Sequence, residues 1–433
     1  MLASLIATAF LGGEQTAELA TARAQLALGH RWPSLASLAE RYLHRFRHAP
    51  RPRHQDVREF IRHDRGFRVA QRSYLKRPTV RRWIADSPLM QPFAAAAGWH
   101  LPAITTTGEL AGWLGLDPAD LAWFADLRSL ERKSGPLVRH YEYQIHRKPD
   151  GRLRLIESPK TRMKQIQRQI LREILDRVPA HAAAHGFVKG RSIRSFAAPH
   201  TGQRLVVRFD LENFFPSLRR ARPQAMFRTL GYPESVADSL GGLCTNWTPR
   251  DVFAGLPVTP ETIAARFVYG RPHLPQGAPT SPALANLCAY HLDCRLAALA
   301  QSAGAVYTRY ADDLAFSGDD DFRRGIHTFL AHVANIIQDE GFAVNTKKTR
   351  LMPASTRQHL AGLVTNVKPN LQRADFDQLK ATLTNCLRSG PGSQNRDGHP
   401  DFRAHLAGRI AFCAMVNPEK ARRLQAIFAK IYS

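Results

Sequence analysis

The tetrapeptide Tyr310-Ala311-Asp312-Asp313 constrains this chain more than any other segment. Short β-type runs flank it, Ala305 to Arg309 before and Leu314 to Ser317 after, and Gly318 with three further aspartates closes the segment. The pattern predicts a β-hairpin with two adjacent carboxylates at its tip. Like charges a few ångströms apart raise each other's pKa unless a cation neutralises them. A divalent metal is the economical explanation, and a metal at a hairpin tip points to phosphoryl chemistry.

A second carboxylate completes the pattern. In Arg208-Phe209-Asp210-Leu211-Glu212-Asn213-Phe214-Phe215-Pro216, Asp210 falls at the end of an apolar strand predicted over Val206 to Leu211. Alone, a strand-terminal aspartate is more often a turn former. Joined to the hairpin, it gives three carboxylates able to hold two Mg²⁺ ions about 3.5–4 Å apart on the attacking and leaving oxygens of a phosphoryl displacement, with Mn²⁺ as a substitute. Between the two clusters lies Leu274-Pro275-Gln276-Gly277-Ala278-Pro279-Thr280-Ser281-Pro282. Gly277 permits close backbone approach and the prolines fix the turn, so Gln276 can be presented to a substrate. A rigid helix-entry loop, with Ser281 as cap and Pro282 at the first helical position, is compatible with that reading.

Charge narrows the partners. The 433 residues carry a net charge of +25, with 61 Lys and Arg against 36 Asp and Glu, and nucleic acid is the obvious polyanion. A membrane surface fits less well: no stretch approaches the roughly 18–20 apolar residues of a spanning helix, and the basic residues are spread along the chain. Cys244, Cys288, Cys294, Cys386 and Cys413 form no C-x-x-C pair and have no companion histidines at zinc spacing, so buried free thiols in a reducing cytoplasm are expected. Leu2 to Leu11 imitates a signal-peptide core but lacks a basic lead, and Glu14 and Glu18 follow it, which favours an ordinary amphipathic helix.

Residues 1–106 read as a helical extension, with apolar Leu35, Leu38, Tyr42 and Phe46 at helical spacing. Thr107 to Arg128 reads as helix, Gly-Leu-Asp-Pro turn, helix. From Tyr141 the period changes to two: Tyr141 to Ile145, a turn at Lys148-Pro149-Asp150-Gly151, then Arg152 to Ile156, with Arg152 and Arg154 expected on one strand face. Helices are expected over 163–177, 222–230, 282–299 and 323–340, and the segment 374–433 reads as mostly helical and basic.

F-D-L-x-x-F-F, L-P-Q-G-x-x-x-S-P and Y-A-D-D, in the family's order along the chain and at compatible separations, make the chain resemble a reverse transcriptase over roughly residues 107–433. The resemblance implies an α+β right-hand polymerase fold: fingers over 107–205, palm (antiparallel sheet plus helices) over 206–358 with a connection at 231–273, and primer grip with a short helical thumb over 359–433. It assigns Asp210, Asp312 and Asp313 to the metal ions, Phe215 to the steric gate against a ribose 2′-OH, and Gln276 to the incoming-nucleotide pocket. Arg152, Arg154 and Lys160 become candidates for the dNTP triphosphate. Lys348, in Asn345-Thr346-Lys347-Lys348-Thr349, matches a lysine near the departing pyrophosphate.

Within that family the chain is most similar to bacterial retron enzymes, through His140-Tyr141, Gly186-Phe187-Val188-Lys189-Gly190-Arg191-Ser192-Ile193, and Ala197 with His200. It departs from them at Phe196, where N-A-x-x-H begins with asparagine, and at Leu360-Ala361-Gly362, where V-T-G is usual. The resemblance implies a cytoplasmic bacterial enzyme that copies its own structured non-coding RNA into branched RNA-linked DNA (msDNA), in anti-phage defence with an effector or toxin partner. No RNase H or Cys/His endonuclease module is expected after the thumb, so template removal would use a host RNase H. The alternatives are a group II intron maturase-like or other defence-associated reverse transcriptase and, from another class, a non-catalytic RNA-binding scaffold. Concentrated carboxylates facing a polyanion argue against the scaffold.

Overall fold

The structure is a computed structural model that describes every residue except 14, 30, 31, 48, 50, 74–88 and 433. Two compact units divide the chain, residues 1–178 with 218–281 and residues 179–217 with 282–433. Residues 179–205, expected with the fingers, therefore pack in the second unit, where Phe196 and Ala197 join a core containing Val206 and Leu360. Residues 218–230 and 274–281, expected with the palm, pack in the first.

The first unit begins with helices at Leu2–Leu11, Ala17–Leu28, Ser34–Arg45, His54–His63 and Arg65–Ser73. Leu35, Leu38 and Tyr42 are buried as their spacing predicts, and Phe46 is partly buried against the same core. The first helix differs from the one-faced amphipathic helix expected. It buries Ala3, Leu5, Ile6, Ala7, Ala9 and Phe10, almost all round, because Ala17–Leu28 and His54–His63 both pack on it. Thr107–Leu114 is capped by Thr106, whose hydroxyl accepts from Glu109 N–H, and ends at Gly115 with φ 63°; Pro118 then opens Pro118–Ala125. Strands β1 (Tyr141–Arg147) and β2 (Leu153–Pro159) pair antiparallel from Tyr141↔Pro159 to Arg147↔Leu153. The following helix, Thr161–Glu173, stops short of Arg177, and its last expected turn is a separate tight helix at Leu175–Arg177.

The second unit is built on a four-stranded antiparallel sheet. Strand β3 (Leu205–Asp210) lies between β5 (Asp313–Gly318) and β6 (Arg350–Pro353), and β4 (Val306–Tyr310) flanks β5. Leu205, Val206, Val207 and Phe209 are all buried, so both faces of this strand are covered, with Arg208 partly exposed between them. The helix expected over 282–299 is two, Ser281–Cys288 and Tyr290–Ser302, broken at Ala289; that over 323–340 is Asp320–Arg324 and Ile326–Asp339, broken at Gly325. A small sheet of β7 (His359–Leu360), β8 (Leu363–Val364) and β9 (Asn370–Leu371) precedes helices Arg373–Ser389, Phe402–Val416 and Pro418–Ile431. None of the five cysteines forms a disulfide, but only Cys244, Cys386 and Cys413 are buried; Cys288 and Cys294 are partly exposed on their helices. No helix among the described residues is long and apolar enough to cross a membrane.

Candidate active site

Strand register brings the three aspartates together. Asp210 is the last residue of β3 and pairs with Asp313, the first residue of β5. Asp312 precedes it in a turn where Ala311 adopts φ 55°, and the Asp312 carbonyl accepts the Leu211 N–H at 2.9 Å. Three carboxylates thus stand at neighbouring ends of two adjacent strands.

Cationic side chains meet two of them. Asp210, only 3% exposed, accepts Lys348 Nζ at 2.8 Å on Oδ2 and Asn345 Nδ2 at 2.9 Å on Oδ1. Arg208, two residues earlier on the same face of β3, donates Nε at 2.9 Å and Nη2 at 2.6 Å to Asp313 Oδ1. Burial, then the charges of Asp313 and Asp210, push the Asp312 carboxyl above its usual range, with Lys348 opposing. Burial raises Asp313 as well, against the pull of Arg208.

Among the described residues no group of three His, Cys, Asp or Glu side chains converges as a ready metal cage. The reason is visible in the bonds above: Asp210 and Asp313 are turned to Lys348 and Arg208. The donor set nonetheless fits a divalent cation, since Asp312 carries no such partner and its ionised form is penalised by burial and by two neighbouring carboxylates.

The structure also shows what holds the hairpin, which the sequence pattern did not reveal. Arg309, fully buried, donates to both Asp293 oxygens at 2.7 and 2.6 Å, to Asn286 Oδ1 at 2.9 Å and to the Ala311 carbonyl at 3.2 Å. Tyr307 OH adds a third bond to Asp293, and Asn286 Nδ2 donates to the Gly186 carbonyl. Gly186 sits so close that a Cβ there would lie 2.6 Å from the Ala311 N, which explains a glycine in that run. His200 clamps β4 to β5: its Nε2 is 2.7 Å from Thr308 Oγ1 and its Nδ1 2.6 Å from Ser317 Oγ. Thr308 spends its own proton on the Phe196 carbonyl, so Nε2 carries the ring proton; burial pushes the imidazole down to about 3 and keeps it neutral.

Phe215 is half-buried at the start of the short helix Phe214–Ser217, with its ring 6.0 Å from Phe187 and 5.6 Å from Phe214. Gln276 belongs to the first unit. Its carbonyl accepts the Glu157 N–H at 2.9 Å, and Ser281 Oγ donates to the Pro275 carbonyl instead of capping the helix. Glu157 is a fully buried carboxylate bonded to Asn246, Thr248 and His273 at 2.8 Å each. It sits behind the Gln276 loop and carried no signal beyond its alternation in β2.

The basic candidates separate. Arg152 is not on β2 but in the turn before it, chelating Asp150 with Nε at 2.8 Å and Nη2 at 2.6 Å, so it shares no strand face with exposed Arg154. The turn chemistry of Lys148 to Gly151, φ 83° at the glycine, takes precedence over alternation there. Lys160 donates to the Pro136 and Leu137 carbonyls at 3.0 and 3.1 Å.

A sheet that sets an Asp on a strand end against an Asp-Asp turn is the arrangement of a nucleotidyl-transferring polymerase. The family described as reverse transcriptase (RNA-dependent DNA polymerase) matches residues 146–364, and the chain belongs to it. It is of the bacterial retron type and is an RNA-directed DNA polymerase. It is 39% identical over 336 residues to the retron Mx65 reverse transcriptase of Myxococcus xanthus, covering 78% of this chain and 74% of that one. The retron Mx162 enzyme of the same organism is 36% identical over 364 residues (80% and 71%), and the retron Ec86 enzyme of Escherichia coli 30% over 295 residues (68% and 81%).

Proposed function

We propose that this enzyme copies part of its own structured non-coding RNA, starting from the 2′-OH of an internal guanosine, to give branched RNA-linked single-stranded DNA. In this reading it works in the bacterial cytoplasm, host RNase H trims the template, and the product serves anti-phage defence with an effector. The observation that carries the catalytic part is the register pair Asp210↔Asp313 with Asp312 in the adjoining turn.

Asp210, Asp312 and Asp313 would hold two Mg²⁺ ions, whose chemistry is to lower the pKa of the attacking hydroxyl and to neutralise the leaving pyrophosphate. Arg208 favours the ionised form of Asp313 against its burial and fixes its rotamer. Lys348, 45% exposed at its side chain, is free at its outer side to meet phosphate charge while Asp210 holds its Nζ. Phe215 would exclude a ribose 2′-OH by shape, and Gln276, on a loop braced by Glu157, would line the dNTP site. Residues 206–358 would supply the palm, with 179–205 packed beside its sheet, 107–178 the body of the fingers, and 359–433 the primer grip and thumb.

Asp312→Asn with Asp313→Asn is expected to abolish dNTP incorporation while RNA binding is retained or strengthened; undiminished synthesis by that variant would sink the catalytic assignment. Sequencing of nucleic acid that co-purifies from the native host tests the retron product, and linear RNA without a branched RNA–DNA species would refute it.

A further inference from the structure

We propose that a cleft in the first unit, walled by Arg132, Trp247, Arg250 and Arg266, binds one unpaired nucleotide of an RNA strand. The inference rests on the RNA-copying function above and assigns a role to part of the 231–273 connection.

The cleft encloses about 490 Å³, within the roughly 300–1,000 Å³ of small-ligand sites. Phe253 and Tyr269 also line it, their rings stacked 6.0 Å apart at 29°. Among the described residues three guanidinium groups line it and no carboxylate does. The two acids adjacent to these arginines in sequence are engaged elsewhere: Asp251 is taken up by Arg139, which donates to both its oxygens at 2.9 and 2.8 Å, and buried Glu131 accepts the His140 N–H at 2.5 Å. Arg266 spends one N–H on the Phe253 carbonyl, whereas Arg132 lies 4.3 Å over the Trp247 ring.

That chemistry selects its ligand. Uncompensated guanidinium groups in one concavity favour an anion, and their forked N–H groups match a phosphate. The half-buried Arg132–Trp247 stack adds a flat surface on which a base can lie, while the Phe253 and Tyr269 rings are themselves buried. A bare phosphate would use only the arginines; a nucleotide uses both. A free nucleotide and a residue of an RNA strand share this chemistry, and the test separates them.

The full-length protein is titrated with a labelled single-stranded RNA oligonucleotide over a salt series, and dNTP KM is measured on a generic RNA template with a DNA primer. Arg132→Ala with Arg250→Ala is expected to weaken RNA binding at least several-fold and to lower the slope of log K against log salt by about 0.7–1.4, one to two phosphates. Trp247→Ala should weaken binding about 5–150-fold, the range of one lost base stack, while Trp247→Phe keeps most of it. The dNTP KM should stay unchanged. Wild-type RNA affinity and salt slope in variants of unaltered melting temperature would overturn the proposal, as would a raised dNTP KM with RNA affinity intact, which marks a free-nucleotide site. Should the double variant melt early, Arg250→Ala alone, at an exposed position, decides between the same outcomes. Failure of the wild type to copy the template would refute the copying function and leave the binding result readable.

Discussion

Replacing Arg309 by Met should destabilise the second unit more than a surface change could, because it strands a buried charge. Arg309 and Asp293 are both fully buried and joined by two bonds of 2.7 and 2.6 Å. Without the guanidinium, the one side-chain partner left to Asp293 among the described residues is the Tyr307 hydroxyl at 2.8 Å. Removing one partner of a buried pair costs about 3–5 kcal/mol, whereas replacing both by apolar groups of similar volume is often neutral. At about 2–4 °C per kcal/mol the single variant should melt roughly 6–20 °C lower. Arg309→Met with Asp293→Leu and Tyr307→Phe leaves neither the charge nor the phenol unpaired and should recover most of that loss. DNA synthesis should stay slow in the triple variant, because the Ala311 carbonyl, in a residue at φ 55°, has still lost its donor. Thermal unfolding followed by circular dichroism in chelator, with primer extension in parallel, reads both. A single variant that melts within about 1 °C of wild type, or a triple variant no more stable than the single, would refute the reasoning.

Three further outcomes are expected. Asp312→Asn should raise the melting temperature in chelator at pH 7–8, by on the order of 1 kcal/mol, the scale of one like-charge contact at high dielectric. The Asp312 and Asp313 carboxyls are raised in the folded state, so their penalty holds above the folded pKa and fades as pH falls through it; the gain should therefore shrink on acidification, and a pH-independent gain would contradict the assignment. Phe215→Val should raise kcat/KM for ribonucleotides roughly 10–100-fold, the yield of one lost steric contact, and unchanged sugar discrimination removes Phe215 from its role. Gly277→Ala should cost more than about 1 kcal/mol, since φ is 131° and its Cβ would lie 2.8 Å from the Glu157 carbonyl, and it should raise the dNTP KM by displacing Gln276; unaltered stability and KM would count against that loop geometry.

Local chemistry in the sequence was enough to find the hairpin, the strand ending at Asp210 and the helix–turn–helix at Thr107 to Arg128, because alternation, turn residues and caps act over a few positions. It was also enough to identify the family, because three short motifs with defined chemistry occur together. It misplaced Arg152, where an Asp150 two residues away competes with strand alternation, and it joined helices that Ala289 and Gly325 break.

The sequence alone therefore determined the elements and the carboxylates that the chemistry needs. Only the tertiary structure decided what surrounds them: Arg208 and Lys348 on Asp313 and Asp210, Arg309 with Asp293 behind the hairpin, His200 between β4 and β5, and Glu157 behind the Gln276 loop. Most of these partners lie far apart in the chain, and even Asp293 and Arg309, 16 residues apart, are on different elements, a helix and β4. A buried charge takes its energy from whichever opposite charge the fold brings within about 3 Å, and no periodicity records that distance.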